Sequence, residues 1–555
     1  MRAMFSSARN ALKSTLLLGL LVCTTVWAQT GPRQLALIHV TVVNPSEASP
    51  HPDSTVLIAN DRVVEVGPSK TVKIPRGALI VKASGKFLIP ALWDMHVHTE
   101  NAERDFPMFV ANGVLGVRNM AGVAKDVFRW REETASGRTL GPQIVAAGPL
   151  IDGPEPAHPE HAIPVRNAAE ARQAVQSLKA MGADFVKVYD GVPRDAYFAI
   201  AEESKKVGLP FVGHLPGSVR VAEASDAGQR SLEHGAYLSG GSTYEEEAIK
   251  QETSGPDVME EAQRTGNFSL IPEDIAKKGN ELLDHLSSER LAQLYRTLAK
   301  NGTYLTPTLV VQHSRVYVDD ISKTSDPRNG YISKTELEAW KPENDMFSKY
   351  RTPRYIAYQK REYAETLKGI KLAQQLGVQL LAGTDVVAPW TYPGFSLPDE
   401  LGLLVETGLT PLEALRTATI NPAEFFGMKD VGTIAPGMKA NLVLLDADPL
   451  KNIANTKKIS SVIMRGRLYT RIQLDDLLKT SENRFQSKIA PPLSTNVSCI
   501  HSDLLASRKS FLRGEDGRQP FPWDYCRFAR HSRRIKECRE PLNCAFSQGE
   551  FFSEI

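Results

Sequence analysis

Six residues of this chain have side chains that could hold and use a metal ion. His96 and His98 close the run Phe87-Leu88-Ile89-Pro90-Ala91-Leu92-Trp93-Asp94-Met95-His96-Val97-His98. Side chains two apart on a strand point to the same side, so this pair can offer two imidazoles to one ion. Lys187, His214, His234 and Asp385 each stand at or just past the end of a short apolar run. Taken singly, His214 and His234 could be structural histidines, and Asp385 after Gly383-Thr384 could be no more than a turn or helix cap. Lys187 in Phe185-Val186-Lys187-Val188 is harder to dismiss, because lysine is seldom buried without a partner. Together the six fit a barrel whose strand ends carry the chemistry. Bound zinc would supply what amide or ester hydrolysis needs, a strong nucleophile at neutral pH and a polarised carbonyl.

The elements that would position these residues follow from pattern. Between about 89 and 427 strand-like runs alternate with helix-like stretches, as βα units require. Val114 to Asn119, Gln143 to Gly148, Asp184 to Tyr189, Pro210 to His214, Ser231 to His234, Tyr304 to Leu309 and Gln379 to Asp385 read as strands. Ala168 to Met181 reads as a helix, with Ala171, Val175, Leu178 and Met181 spaced by three or four. Ala196 to Val207, Ser218 to Gly228 and Tyr363 to Leu376 read likewise, and Thr410-Pro411-Leu412-Glu413 starts another helix.

Two short strand sets flank this region, at 35–83 and 441–469. Neither is large enough to bury a core, so they are expected to pair into one β-sandwich beside the barrel. The stretch 241–290 breaks the alternation and carries twelve acidic against five basic residues. It reads either as a solvated excursion or, following His234 at a strand end, as a cap over the barrel mouth. Residues 319–349 are similarly polar. The expected organisation is a signal peptide at 1–28, sandwich arms at 29–88 and 428–475, and a barrel at 89–427 with cap-like insertions within 241–349. A weakly ordered tail is expected over 476–555.

The motifs resemble those of the amidohydrolase superfamily, near its imidazolonepropionase-like and Xaa-Pro dipeptidase (prolidase-like) branches. The likeness runs from about Leu35 to Arg471. It is carried by His96-Val97-His98, Val186-Lys187-Val188, Gly213-His214, Leu232-Glu233-His234-Gly235, Gly383-Thr384-Asp385, and Gly432-Thr433-Ile434 through Asn441-Leu442-Val443. The resemblance implies a (β/α)8 TIM-like barrel with the flanking sandwich. It implies two divalent ions, zinc being the expected metal: His96, His98 and Asp385 on the more buried one, His214 and His234 on the other. Lys187 would bridge them as a carbamate derived from carbon dioxide, since an unmodified lysine between two cations would be repulsive. Imidazolonepropionase itself uses one metal and lacks that lysine, which argues against transferring its name.

The activity so implied is hydrolysis of C–N bonds in small substrates such as dipeptides or N-acyl amino acids, by a metal-bridging hydroxide. Asp385 would be the catalytic general base and then acid. A cyclic amidase, lactam or ester hydrolase is the alternative. A non-catalytic barrel is disfavoured because every expected ligand is present. Candidate substrate contacts are Tyr189, on the face of Lys187, His158 in the loop after the third strand, and Arg118, which could bind a carboxylate or form a structural ion pair. Trp390 and Tyr392 could supply an apolar wall, and Asp94 could support the ligands.

Charge and cysteines bound the rest. Lys and Arg total 66 against 64 Asp and Glu, and no basic stripe crosses the barrel, so nucleic acid is not an expected partner. Arg2, Arg9 and Lys13, the apolar run Leu16–Val22 and Val26-Trp27-Ala28 read as a secretory signal, too short for a stable membrane span. A periplasmic or secreted enzyme is expected, and a homo-oligomer is compatible with the sequence. Of five cysteines, Cys23 would leave with the signal and Cys499, Cys526, Cys538 and Cys544 could pair in the tail.

Overall fold

A computed structural model describes residues 34–254, 258–345 and 348–487. The expected signal peptide and all five cysteines lie outside the described residues.

The flanking unit is an eight-stranded sheet drawn from both ends of the chain. Its seam is Phe87–Pro90, which runs antiparallel to Leu442–Leu445, with Leu88 opposite Leu444 and Ile89 opposite Val443. One edge of Gln34–Val42 pairs with His51–Ala59. Its other edge is shared, Leu79–Lys82 taking one end and Phe87–Pro90 the other, so the sheet splays there. Leu35, Leu37, Val56 and Ile58 from the first arm bury against Ile434, Leu442, Leu444 and Ile463 from the second. Each arm supplies one side of a core that the other completes.

The central unit is a ring of parallel strands. In order they are Leu92–Val97, Val114–Asn119, Gln143–Ala146 continuing into Leu150–Asp152, Val186–Val188, Phe211–Gly213, Ser231–Glu233 and Tyr304–Thr306. Residues 378–386 close it as an eighth, irregular strand. Leu305 N donates to Gln379 O (3.0 Å) on one side, and Met95 N donates to Ala382 O (2.8 Å) on the other. The third and fourth strands join through Asp184 N to Ala146 O (2.9 Å) and Tyr189 N to Ile151 O (2.9 Å). This is a (β/α)8 barrel flanked by a β-sandwich. Gly383 is required in the eighth strand, because a Cβ there would lie 2.7 Å from the Cβ of His96 and 2.8 Å from Thr306 Cγ2.

The helix at Ala168–Met181 matches its sequence pattern and is capped by Asn167, whose side chain accepts from Ala169 N and Glu170 N at 3.0 Å. Thr410 and Glu413 form the reciprocal capping box. Two helices differ from expectation. The one read at 218–228 is confined to Val221–Asp226, and the one read from Tyr363 begins ten residues earlier as Pro353–Gln375. The acidic excursion is itself helical, with Glu245–Ser254, Val258–Thr265 and Leu270–Asp284. Ile275, Ala276 and Leu283 of the last pack on Tyr355 and Tyr358. Residues 476–487 are not a loose tail: the helix Arg471–Ser487 runs through them, with Leu474 fully buried and Ser481 Oγ donating to Arg104 O (3.2 Å). No described helix is long and apolar enough to cross a membrane.

Candidate active site

The six residues singled out by type converge at the carboxyl ends of strands one, four, five, six and eight, where a parallel barrel presents its functional groups. His96, His98 and Asp385 each place one ligand atom within 4.8 Å of the others. Asp385 Oδ1 lies 3.4 Å from His96 Nε2 and 3.3 Å from His98 Nε2. His214 and His234 bring their Nε2 atoms to 3.1 Å of one another. The His234 ring lies 4.8 Å from that of His96, which joins the two groups. Asp385 and His234 both have left-handed backbone (φ 57° and 62°), so each side chain turns inward as its strand ends.

The outer nitrogens explain how the rings are aimed. His96 Nδ1 is bonded to Glu233 Oε2 (2.8 Å), His214 Nδ1 to Asp190 (3.1 Å to each oxygen) and His234 Nδ1 to Thr308 Oγ1 (2.7 Å). With Nδ1 committed outward, Nε2 is left to face the centre, the arrangement by which histidines are oriented toward a metal. Glu233 is held in turn by Arg118 (2.9 and 3.0 Å) and by Ser231 Oγ (2.5 Å). Burial would raise its carboxyl, but Arg118 and His96 overcome this and hold it well below the usual carboxylate range. Burial drives His96 down to about 4 and His214 and His234 well below the ordinary imidazole value, so all three are neutral donors.

Among the described residues, His96 Nε2 and Lys187 Nζ, two buried polar atoms at this floor, have no hydrogen-bond partner. Lys187 is fully buried, and burial pushes its amine down to about 8. Orphaned groups of this kind are costly in a folded protein, and a cluster of four imidazoles, one carboxylate and a buried lysine fits a cationic centre. A cavity of about 770 Å³ rises above the floor and is lined by His98, Tyr189, His214, His234 and Asp385 among others.

The remaining sequence candidates divide. Tyr189 stacks on His214 with centroids 4.2 Å apart, and His158 meets Tyr189 edge-on at 5.7 Å; both line the cavity. Burial lowers His158 to about 4. Arg118 does not contact substrate space. It is fully buried inside the barrel and absent from the cavity lining, its charge spent on Glu233, so the structural ion pair replaces the carboxylate-binding reading. Trp390 and Tyr392 are likewise excluded from the wall, since Trp390 packs on Trp340 and donates to its carbonyl (3.2 Å), while the Tyr392 hydroxyl donates to Asn329 (2.8 Å). Val387, Ala388 and Pro389 take their place. Asp94 supports the ligands through the backbone, accepting from His96 N (3.2 Å), Thr384 N (3.0 Å) and Thr384 Oγ1 (2.6 Å), and so ties the first strand to the eighth. Glu233, Asp190 and Thr308 were not found from sequence. Glu233 and Asp190 offered a signal, a carboxylate directly beside a candidate ligand or its strand end; Thr308, in Pro307-Thr308-Leu309, offered none.

The model of the amidohydrolase family matches residues 87–469, which span the barrel and both halves of its seam with the sandwich. The chain belongs to the amidohydrolase family. Among solved structures it is similar to a bottromycin amidohydrolase (21% identity, TM-score 0.63, covering 82% of this chain and 91% of that one). It is also similar to a Xaa-Pro dipeptidase with methionine bound in its active site (16% identity, TM-score 0.57, 79% and 100% covered). At these identities the likeness is one of fold. Among curated relatives, adenine deaminase 2 of Desulfotalea psychrophila is 51% identical over 51 residues, 9% of each chain. The chain thus matches under a tenth of that relative's length. The family match supports a metal-dependent hydrolase.

Proposed function

We propose that the protein hydrolyses C–N bonds in small amides, with dipeptides and N-acyl amino acids as the substrate class. The observation that carries the reading is the convergence of His96, His98, His214, His234, Lys187 and Asp385 on the floor of a cavity whose size, about 770 Å³, suits a small ligand. His96, His98 and Asp385 would hold one divalent ion and His214 and His234 a second, zinc matching the nitrogen-rich donor set. Such ions, when bound, lower the pKa of a water molecule and polarise a carbonyl.

The chain's own residues do the rest. An ammonium at Lys187 would repel cations held by the surrounding imidazoles. Addition of its neutral amine to carbon dioxide forms an N–C bond, releases one proton and leaves an anionic carbamate with two oxygens to share. Asp385 accepts the proton of the attacking water and returns it to the leaving nitrogen. Tyr189, whose ring is fixed by stacking on His214, offers its hydroxyl to the scissile carbonyl oxygen. Glu233, Asp190 and Thr308 hold the imidazoles in the orientation this requires. The leader-like segment at 2–28 makes the mature enzyme a periplasmic or secreted one.

The test is a screen of purified, metal-counted protein against dipeptides, N-acyl amino acids, lactams and esters. Turnover of acyclic amides with two ions per chain is expected. Two bound ions with hydrolysis only of lactams or esters would overturn the substrate assignment.

A further inference from the structure

One wall of the cavity is a face of the helix Pro353–Gln375: Tyr355, Gln359, Glu362 and Tyr363 all line it. Spacings of three and four keep them on one side of the helix. Tyr355 packs on the helical excursion, but the rest of this face is polar, and two of its polar atoms lack partners among the described residues. The Gln359 Oε1 atom is buried and accepts no hydrogen bond from the described residues. Tyr363 is 6% exposed and its hydroxyl has no hydrogen-bond partner among the described residues. Glu362 receives one bond, from the Tyr358 hydroxyl at 2.7 Å, and makes no ion pair among the described residues. Burial pushes its carboxyl up to about 8. The guanidinium of Arg351, also on the cavity, is engaged elsewhere: it donates to Val316 O (3.1 Å) and lies 3.4 Å from Asp319, with only its Nε unpaired. Glu245, from the helical excursion, also lines the cavity, its carboxylate 3.8 Å from Arg290.

We propose that Gln359 and Glu362 form a subsite for a cationic nitrogen, an ammonium or guanidinium, at the end of the substrate remote from the scissile bond. The placement of that bond rests on the amide-hydrolase reading; the affinity for a cation does not. A carboxylate in the cavity wall with one neutral hydrogen bond and no ion pair among the described residues is poorly compensated, and the amide oxygen of Gln359, one turn earlier on the same helix face, is a second acceptor with no donor there. An ammonium carries three N–H donors and a guanidinium five, so either satisfies both oxygens and supplies the missing charge. The metal floor selects the bond to be cut, while this wall selects what the substrate carries at its far end. The cation could be the free α-amine of a peptide or a basic side chain, two sources of the same chemistry.

The experiment uses the metal-loaded full-length protein and two matched substrate pairs, a dipeptide against its N-acetyl form and a lysine-containing dipeptide against its norleucine counterpart. The wild type is expected to favour the charged member of at least one pair by about tenfold or more in kcat/KM, and Glu362→Gln to bring that ratio within about threefold of unity. The pair that responds identifies the source of the cation. A wild-type ratio near one in both pairs, or a preference that survives Glu362→Gln, overturns the subsite. If no amide is cleaved, the hydrolase reading fails by itself, and n-butylammonium binding by calorimetry decides the subsite: Glu362→Gln should weaken it at least about tenfold and Gln359→Leu by a smaller factor. Equal affinity in wild type and Glu362→Gln, or no binding to the wild type, overturns it.

Discussion

The floor of the cavity and its helical wall are built on opposite principles. On the floor, the imidazoles of His96, His214 and His234 have their outer nitrogens tied down by Glu233, Asp190 and Thr308, and the inward atoms His96 Nε2 and Lys187 Nζ are the ones left unpaired. On the wall, Gln359 Oε1 and the Tyr363 hydroxyl have no hydrogen-bond partner among the described residues. The floor's geometry is set by the barrel itself, through strand ends and the bonds behind them, so the fold dictates what chemistry can occur. The wall comes from the N-terminal half of the helix that leads from the seventh strand to the eighth, whose C-terminal half packs into the barrel core through Ile370 and Ala373. In the proposed reading the substrate's cation completes it. The contrast separates a reaction fixed by architecture from a specificity added onto it.

The largest expected effect strikes the floor directly. Lys187→Ala should lower kcat/KM by at least about 10³-fold and release one ion or both, since it removes the proposed bridge together with the arrangement of the nucleophile. Metal per chain, measured alongside turnover, checks this, and circular dichroism should show the fold intact because aliphatic side chains pack the barrel. A variant that kept two ions and full turnover would show that the carbamate bridge is wrong.

Next comes the support beneath the floor. Arg118→Ala leaves the Glu233 carboxylate buried with only His96 and Ser231 to compensate it. Removing one partner of a fully buried ion pair costs about 3–5 kcal/mol, so urea denaturation should shift strongly. A loss below about 1 kcal/mol would mean that Glu233 is protonated or reached by water, and that the floor is less rigidly supported than its hydrogen bonds imply.

How far these two regions could be foreseen follows the same divide. The floor ligands stood out because histidine, lysine and aspartate at the ends of apolar runs are chemically conspicuous, and strand period alone puts His96 and His98 on one side. The paired arms of the sandwich were foreseeable because Leu35–Val43 and Leu442–Leu445 are apolar strands with too little partner of their own. Arg118 was ambiguous for a physical reason: sequence locates it on a strand but does not say whether it points into the barrel, where Ser231, Glu233 and Thr306 receive it. The wall was invisible. Gln359 and Glu362 are ordinary residues for a solvated helix face, and their meaning depends on a cavity enclosed by distant segments. The eighth strand was placed correctly from Gln379-Leu380-Leu381, though its irregular course depends on tertiary contacts around Gly383.

A smaller effect is expected from the outer partner of a single ligand. Asp190→Ala frees His214 Nδ1 and lets the ring rotate, which should weaken metal retention by about 10–100-fold without unfolding the barrel. Competition with a chelator measures this. Retention equal to the wild type would show that Tyr189 stacking alone aims the ring, and would shift the orienting role from the carboxylate to the aromatic face.

The smallest effect, and the one that most sharply separates floor from wall, is that of Tyr363→Phe. Deleting a partnered polar group leaves another buried group unsatisfied, whereas deleting an unpartnered one removes a desolvation cost and breaks nothing. The Tyr363 hydroxyl is in the second class: the residue is 6% exposed, its oxygen makes no hydrogen bond among the described residues, and burial, with Glu400 adding to it, pushes the phenol well up. The substitution keeps the ring that packs against His313, with centroids 5.9 Å apart, so no cavity opens. In the ligand-free protein the variant should therefore unfold at an unchanged or slightly higher urea concentration, a gain of between zero and about 1 kcal/mol. The same change at a supported site would be a loss of similar size. Should Tyr363→Phe destabilise the protein by about 1 kcal/mol or more, the hydroxyl is bonded to ordered water in the wall, the wall is completed by solvent in the resting enzyme, and the contrast between the two surfaces is one of partner identity rather than of partner absence.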